Sequence, residues 1–287
     1  MAWNENYWDM IHHLYWVPQM IGLEPVNVVP DPNDPSHVRV PKSYLRDGRL
    51  RRRVKKDHQV RETLRGDERT LNAFFDIMFA IVPDKLIEQW FCHPLGIRDN
   101  SQFRNFGLLE LTKRYEWGYK NITQPDGFFV SDKSIICVEI KLDARSSLKQ
   151  ILNYAGLIAL EERRSDRRDN VGLLYIAPKQ RAEALWRSLG LDGPSMPGNV
   201  LGSATAQSLN GGIREIVDHD RKHFEDVLKR LKLKVISWSD LYQCATAEKD
   251  SLDPNDSAQQ TLYRLLDGFI AQLRVHRDTG INPEARA

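Results

Sequence analysis

Apolar residues recur at intervals of three and four along several stretches of the chain, the spacing of one face of an α-helix. One such helix begins at about Asp67, a residue type favoured as an N-cap, and carries Leu71 and Phe74 on its apolar face. A second begins at Pro83 and extends to about Phe91. The same spacing predicts further helices at Gln180–Leu189, Ile213–Leu231 and Ala258–His276.

Short apolar runs bounded by turn residues predict strands at Gly127–Val130, Ile135–Ile140, Val171–Ala177 and Lys234–Trp238. Between the second and third strands, apolar residues from Leu148 to Ile158 return to helical spacing. A strand, a helix and a strand in this order predict a parallel crossover connection. The pattern therefore indicates an α/β or α+β fold, with a central mixed sheet of about four to five strands flanked by helices.

The N-terminal region has a different composition from the rest of the chain. Trp and Tyr cluster near the start, and a Pro-rich tract follows up to about Tyr44, which predicts a short helix and then an extended arm. The aromatic side chains either pack against the main body or contact bases or a partner protein. We therefore divide the chain into an N-terminal extension, a core domain and a C-terminal helix with its tail, at residues 1–66, 67–247 and 248–287.

Composition limits the class of protein. The 287 residues are 41% hydrophobic, enough for a buried core. The apolar runs are shorter than a membrane span needs, and the N-terminus lacks the order of a signal peptide, so we expect no membrane association and a cytoplasmic location. Three cysteines without C-x-x-C spacing argue against a disulfide framework or a zinc site.

Positive charge is concentrated, although the formal net charge is only +2. Between Arg46 and Arg65 the chain has nine basic and three acidic residues, which gives a local net charge of +6. Such a segment favours contact with phosphates, and a solvated face is the alternative. The DNA-binding candidates are Arg49, Arg51, Arg52, Arg53, Lys55 and Lys56. A second basic set is Arg163, Arg164, Arg167 and Arg168.

Asp126, Glu139 and Lys141 are the main candidates for chemistry. A hairpin of the two adjacent strands brings Asp126 close to Glu139, and the spacing of two places Glu139 and Lys141 on one face of their strand. An acid and a lysine inside an apolar run are costly unless they are paired or bound to a metal. The alternative is an ordinary turn at Pro-Asp-Gly and a solvated ion pair on an exposed sheet face.

Phosphodiester hydrolysis needs this set of groups. Two carboxylates hold Mg²⁺ through hard oxygen ligands, and Mn²⁺ is expected to substitute for it. Asp126 and Glu139 are the predicted metal ligands, with the carbonyl of Ile140 as a third. Lys141 is expected to orient the attacking water or to offset developing charge.

These residues resemble the motif of the PD-(D/E)XK nuclease superfamily, with Pro125-Asp126 as its first element and Glu139-Ile140-Lys141 as its second. Gln150 and Tyr154, four apart on the following helix, resemble the Q-x-x-x-Y element of RecB-like members, although a surface amide and a half-buried tyrosine are ordinary in a helix. Val235–Leu241 resembles the terminal strand and helix of restriction-type members.

The resemblance implies a restriction-endonuclease-like core and an additional acid from an early helix. Glu68 is the first candidate by position, Glu110 is the second and Glu116 is the weakest. Either of the first two is alternatively a capping or surface acid.

The resemblance also implies a function: a Mg²⁺-dependent DNA endonuclease in prokaryotic or phage DNA defence, restriction or processing, with cleavage by a homodimer as a family-level expectation. Two alternatives remain open. One is a repair exonuclease, which the Q-x-x-x-Y element allows, and the other is a nucleic-acid-binding or assembly subunit that keeps the nuclease fold without turnover. RNA in place of DNA also stays open.

Overall fold

The computed structural model of the chain describes residues 29–31, 34–39, 45–46, 49–50, 68–106, 123, 125–142, 146–181, 184–185, 187, 209, 211–276 and 279–281. It divides the chain into two units, Met1–Asp67 and Glu68–Ala287. Each unit has strands of its own, and the candidate site lies in the second.

Two short antiparallel hairpins occupy the described part of the first unit. Strand β1 (Val29–Asp31) pairs with β2 (Asp34–Arg39), and β3 (Leu45–Arg46) pairs with β4 (Arg49–Leu50). The Pro-rich tract is thus folded into ribbons where an extended arm was expected. A two-stranded ribbon tolerates proline because both of its strands are edges.

A five-stranded mixed sheet forms the centre of the second unit. Its strands, in spatial order, are β5 (Arg104–Asn105), β6 (Gly127–Val130), β7 (Ser134–Ile140), β8 (Asn170–Ala177) and β9 (Leu231–Ser237). The pairs β5–β6 and β6–β7 are antiparallel, whereas β7–β8 and β8–β9 are parallel. The predicted hairpin and parallel crossover are both confirmed.

Seven helices accompany this sheet among the described residues. They are α1 (Glu68–Ile81), α2 (Asp84–Ile87), α3 (Leu148–Arg164), α4 (Gly211–His219), α5 (Arg221–Arg230), α6 (Trp238–Asp250) and α7 (Gln260–Val275). A π-helical turn and a 3₁₀ turn extend α2 to Leu95. This extension ends at Gly96, whose φ of 66° lies in the left-handed region that glycine adopts at no steric cost.

Two apolar layers cover opposite faces of the sheet. On one face, Cys137 of β7 and Leu173 of β8 belong to a buried cluster with Ile151 of α3 and Val227 of α5. Alternate residues of each strand point into this cluster, as the period of two requires. Glu139 follows Cys137 by two residues and so faces α3.

The opposite face is packed mainly by aromatic rings. Phe79 of α1 contacts Phe129 of β6 edge to face, with ring centroids 5.7 Å apart. Phe269 of α7 stacks on Trp90 at 5.8 Å and also contacts Phe75 at 5.4 Å. The C-terminal helix is therefore part of the core of the second unit.

The prediction of one helix at Ile213–Leu231 is wrong, because the chain breaks at Asp220. Asp220 leaves the helical region, and its carboxylate accepts a hydrogen bond from the amide of His223, capping α5. An aspartate favours this role over a mid-helix position. The helix predicted for Gln180–Leu189 is represented by a 3₁₀ turn at Lys179–Arg181 and helical residues at 184–185 and 187.

The last strand also differs from its prediction. It runs from Leu231 to Ser237, and Trp238 is the first residue of α6. Ser237 and Asp240 form a capping box in which each side chain bonds the other residue's backbone amide. This cap fixes the boundary between strand and helix one residue earlier than expected.

The coarse prediction of the fold class is confirmed: the second unit is a mixed α/β structure with helices on a mixed sheet. In the part of the chain that the structure describes, no helix is both long and apolar enough to cross a bilayer. The predicted N-terminal helix, the N-cap at Asp67 and most of the connection at 190–212 lie outside the described residues.

Candidate active site

The hairpin of β6 and β7 brings Asp126 next to Glu139. Gly127 pairs with Val138 in the antiparallel register, so extending that register by one residue sets position 126 opposite position 139. Directly opposed residues in such a pair have Cβ atoms about 5 Å apart. A side chain at Gly127 would meet a ring carbon of Phe129 at 2.9 Å, so glycine is needed directly after Asp126.

Glu139 is buried, with 4% of its surface exposed. Three side chains donate hydrogen bonds to its carboxylate: Lys141 from the same strand, and Gln150 and Tyr154 from α3. The Gln150 Nε2–Glu139 Oε1 distance is 2.7 Å. The interpretation of Glu139 and Lys141 as a solvated pair on an exposed face is therefore wrong.

Gln150 is held in one orientation by its neighbours. The hydroxyl of Ser146 donates to Gln150 Oε1 at 2.7 Å and lies 3.3 Å from the hydroxyl of Tyr175 on β8. Because Oε1 accepts from Ser146, the amide nitrogen faces Glu139 and the Tyr154 hydroxyl. Ser146 and Tyr175 were not predicted from the sequence.

Tyr154 lies wholly inside the protein and stays a hydrogen-bond donor. Burial raises the pKa of its hydroxyl well above the ordinary value, and the negative charges of Glu139 and Asp126 raise it further. Both carboxylates therefore act on this hydroxyl. Tyr154 is a buried partner of Glu139, rather than the half-buried helix residue that its position alone would suggest.

Asp126 is held by the sheet and by the helix layer opposite α3. Its Oδ2 accepts a hydrogen bond from the backbone amide of Ile140 at 2.6 Å. Its Oδ1 accepts one from Nδ2 of Asn72 on α1 at 2.5 Å. The carbonyl of Ile140 was predicted as a metal ligand, but the described contact of Ile140 with Asp126 is made by its backbone amide. Asn72 is a residue of this site that was not predicted from the sequence.

The backbone at Lys141 is fixed on both sides. Its amide donates to the carbonyl of Ile176 at 2.8 Å, which continues the parallel pairing of β7 with β8. Its carbonyl accepts from the indole nitrogen of Trp238 at 3.2 Å. Lys141 is therefore held where β7 ends, with its ammonium on Glu139.

The basic residues after α3 have structural partners. Arg168 is buried and donates to the carbonyls of Ser131 and Asp166, and Arg167 pairs with Asp226 at 3.2 Å. They follow the end of a 17-residue helix whose first turn carries Gln150, so at 1.5 Å per residue they lie about 20 Å from the site. The expectation that this set contacts DNA is not supported for Arg167 and Arg168.

Several predicted residues fall outside the described side chains. Glu68 is the first residue of α1, but its side chain is not among them. Glu110 and the basic residues of the first unit from Arg51 to Lys56 lie outside the described residues, and Arg49 is described only as part of β4. The early acid and the DNA-binding segment stay predictions.

The donor set of the site fits a hard divalent cation. Glu139 and Asp126 place two carboxyl groups side by side, and Glu139 is also bound by Lys141. Carboxylate oxygens are the ligands that Mg²⁺ and Mn²⁺ prefer. Within the described ranges, no three His, Cys, Asp or Glu side chains converge.

Comparison of the chain with protein-family models, with curated proteins and with solved structures gave no match.

Proposed function

We propose that the chain is a metal-dependent nuclease of the PD-(D/E)XK type, with a restriction-endonuclease-like core, that hydrolyses DNA phosphodiester bonds. The observation that carries the proposal is that Asp126, Glu139 and Lys141 lie together at the open end of the hairpin, where β6 begins and β7 ends, with Glu139 buried. A buried carboxylate beside a second carboxylate is costly unless a cation accompanies the pair.

The side chains that surround Glu139 support the same proposal. Gln150 and Tyr154 both bind Glu139, so the Q-x-x-x-Y element holds a predicted ligand in place. Ser146 fixes the Gln150 amide from the other side. A ligand held by three donors keeps its carboxylate aimed in one direction, which is what metal sites require of their surroundings.

Each group has a chemical role in this proposal. Asp126 and Glu139 would hold Mg²⁺, which when bound polarises the scissile phosphate and lowers the pKa of a coordinated water. Lys141, at the end of β7, supplies positive charge beside the carboxylates, where negative charge grows on the phosphoryl oxygens. Tyr154 keeps its proton and holds Glu139, so it contributes no proton to the reaction.

Exposed cations at the same end of the sheet support a polyanionic substrate. Lys149 adjoins Gln150 in the first turn of α3, and Lys179 and Arg181 follow the end of β8. Arg181 contacts the carbonyl of Leu142, next to Lys141, at 3.4 Å. Such residues bind phosphates without reading bases. The biological setting that we propose is DNA defence, restriction or processing.

The test is a cleavage assay on linear duplex DNA, circular duplex DNA, single-stranded DNA and RNA, with Mg²⁺ or with EDTA. We expect Mg²⁺-dependent cleavage of DNA, and a loss of at least about 100-fold in Asp126→Asn, Glu139→Gln and Lys141→Met. Cleavage of circles indicates an endonuclease, and cleavage of linear DNA alone indicates an exonuclease.

Variants that retain their folded structure and still cleave at the original rate would overturn the proposal. DNA binding by the wild-type chain, without cleavage of any substrate, would favour the assembly-subunit alternative. The matched control is Glu162→Gln, which changes a buried carboxylate at the far end of α3 and is expected to leave the rate unchanged.

A further inference from the structure

Asn72 is placed by α1 directly against the site. The helix begins at Glu68, and Asn72 lies one turn later, where its amide nitrogen donates to Asp126 Oδ1 at 2.5 Å. Asn72 therefore connects the aromatic helix layer to the carboxylate pair.

The second polar atom of the Asn72 side chain is its carbonyl oxygen. Asn72 Oδ1 is buried and has no hydrogen-bond partner among the residues that the structure describes. A buried amide oxygen without a donor costs roughly 1–3 kcal/mol, and such atoms are uncommon in folded proteins. Because Oδ1 and Nδ2 belong to one rigid amide, the unpaired oxygen lies close to the Asp126 carboxylate.

Charge determines which partner suits that oxygen. A donor from the protein would serve, but the described neighbour of the amide is the Asp126 carboxylate, which only accepts. A divalent cation bound by Asp126 and Glu139 would accept a third hard oxygen, and carboxamide oxygens are ordinary ligands of such ions.

We infer that Asn72 Oδ1 is an oxygen ligand of the cation held by Asp126 and Glu139. This inference rests on the proposed function and deepens it, because it names a ligand in this metal site beyond the two carboxylates. In this role Asn72 has two contacts, donating to Asp126 through nitrogen and binding the cation through oxygen.

The test measures Mn²⁺ affinity of the metal-free full-length chain by calorimetric titration. Asn72→Leu removes the oxygen at similar volume, and we expect it to weaken Mn²⁺ binding by at least about tenfold. Asn72→Asp replaces the amide oxygen by a charged one. We expect it to tighten Mn²⁺ binding and to enlarge the rise in unfolding temperature on adding Mn²⁺, since the metal-free variant carries an added like charge.

Asn105 provides the matched control. It also has a buried side-chain oxygen without a hydrogen-bond partner among the described residues. Its side chain contacts Asp76, which lies on α1 one helical turn after Asn72. The Leu and Asp substitutions at Asn105 are expected to leave Mn²⁺ affinity unchanged. Unfolding of every variant is measured without metal, so that a misfolded variant is recognised. If one of the two Asn72 variants misfolds, the Mn²⁺ affinity of the other tests the inference.

The outcomes separate the two claims. If Asn72→Asp and Asn72→Leu both weaken Mn²⁺ binding, Asn72 only orients Asp126 and the inference is overturned. If neither changes the affinity while Asp126→Asn abolishes it, the inference also fails but the proposed metal site stands. If the wild-type chain binds no Mn²⁺ at all, the proposed metal site fails together with the inference.

Discussion

Glu139 of β7 lies beside the first turn of α3, and Glu162 lies in the last turn of that helix next to buried Glu161. The carboxylates of Glu139 and Glu162 have different surroundings. Glu162 is bound by Arg230 at 2.7 and 3.1 Å and by the amide of Arg168 at 2.8 Å. Glu139 is bound by one ammonium, one amide and one phenol. Asp126 adds a second carboxyl group beside Glu139.

We propose that this difference distinguishes a structural ion pair from a cation-binding site. Arg230 offers Glu162 a planar, two-pronged partner, and Asp226 in turn binds Arg230 at 2.8 Å. Positive charge therefore accompanies the Glu162 carboxylate within the fold. At Glu139, an ammonium, an amide and a phenol fix the direction of the carboxylate, and Asp126 lies beside it. This pair of carboxylates is the metal site that we propose.

The largest effect is expected from Arg230→Met. It removes the guanidinium from buried Glu162, which keeps only His223 as a basic neighbour, and is expected to reduce the free energy of unfolding by about 3–5 kcal/mol. Lys141→Met is expected to cost less, about 2 kcal/mol, because Tyr154 and Gln150 still bind Glu139. Urea unfolding of both variants, with and without Mg²⁺, provides the measurement.

Magnesium makes this prediction specific. At about 100 times its dissociation constant, Mg²⁺ is expected to add about 2.7 kcal/mol to proteins that retain the site. Lys141→Met removes a positive charge beside the proposed cation and should gain more than the wild-type chain, so its loss relative to wild type should shrink. Arg230→Met should gain only as much as the wild-type chain and should keep its full loss. Equal losses that Mg²⁺ does not restore in either variant would show that the two ends of α3 are alike.

A smaller effect is expected from exposed lysine and arginine residues at the two ends of the sheet. Replacing Lys179 and Arg181 by alanine should weaken DNA binding and reduce the slope of log K against log salt by about 2, one for each lost phosphate contact. Lys133 and Arg163 are exposed residues of the same two types at the far end of the sheet and of α3. Their double alanine variant is expected to keep the wild-type slope. Equal slopes in the two double variants would contradict the assignment of a DNA-contact surface to the end of the sheet that carries Asp126 and Glu139.

Much of the fold follows from the sequence because its strands are short, apolar and bounded by turns. Gly127–Val130 is predicted to the residue, and β7 and β8 differ from prediction by one residue at their starts. The break at Asp220 is harder to predict, because the apolar spacing continues through it. The capping box at Ser237 was readable in the sequence, since Ser-x-x-Asp before a helix is its usual pattern.

The candidate site is partly predictable for a related reason. The proximity of Asp126 and Glu139 follows from a hairpin register, and that of Gln150 and Tyr154 from helical spacing. Asn72 and Ser146 carry no such pattern: one is a polar residue within an amphipathic helix, and the other lies in a loop. Their contacts depend on how distant elements pack, which local periodicity does not encode.

The most direct measurement of the central claim is a titration of Mn²⁺ into the metal-free chain, its Glu139→Gln variant and its Glu162→Gln variant. We predict saturable binding by the wild-type chain, a loss of affinity of at least about tenfold in Glu139→Gln, and little change in Glu162→Gln. No saturable binding by the wild-type chain, or equal affinities in all three proteins, would contradict the assignment of a metal site to Asp126 and Glu139.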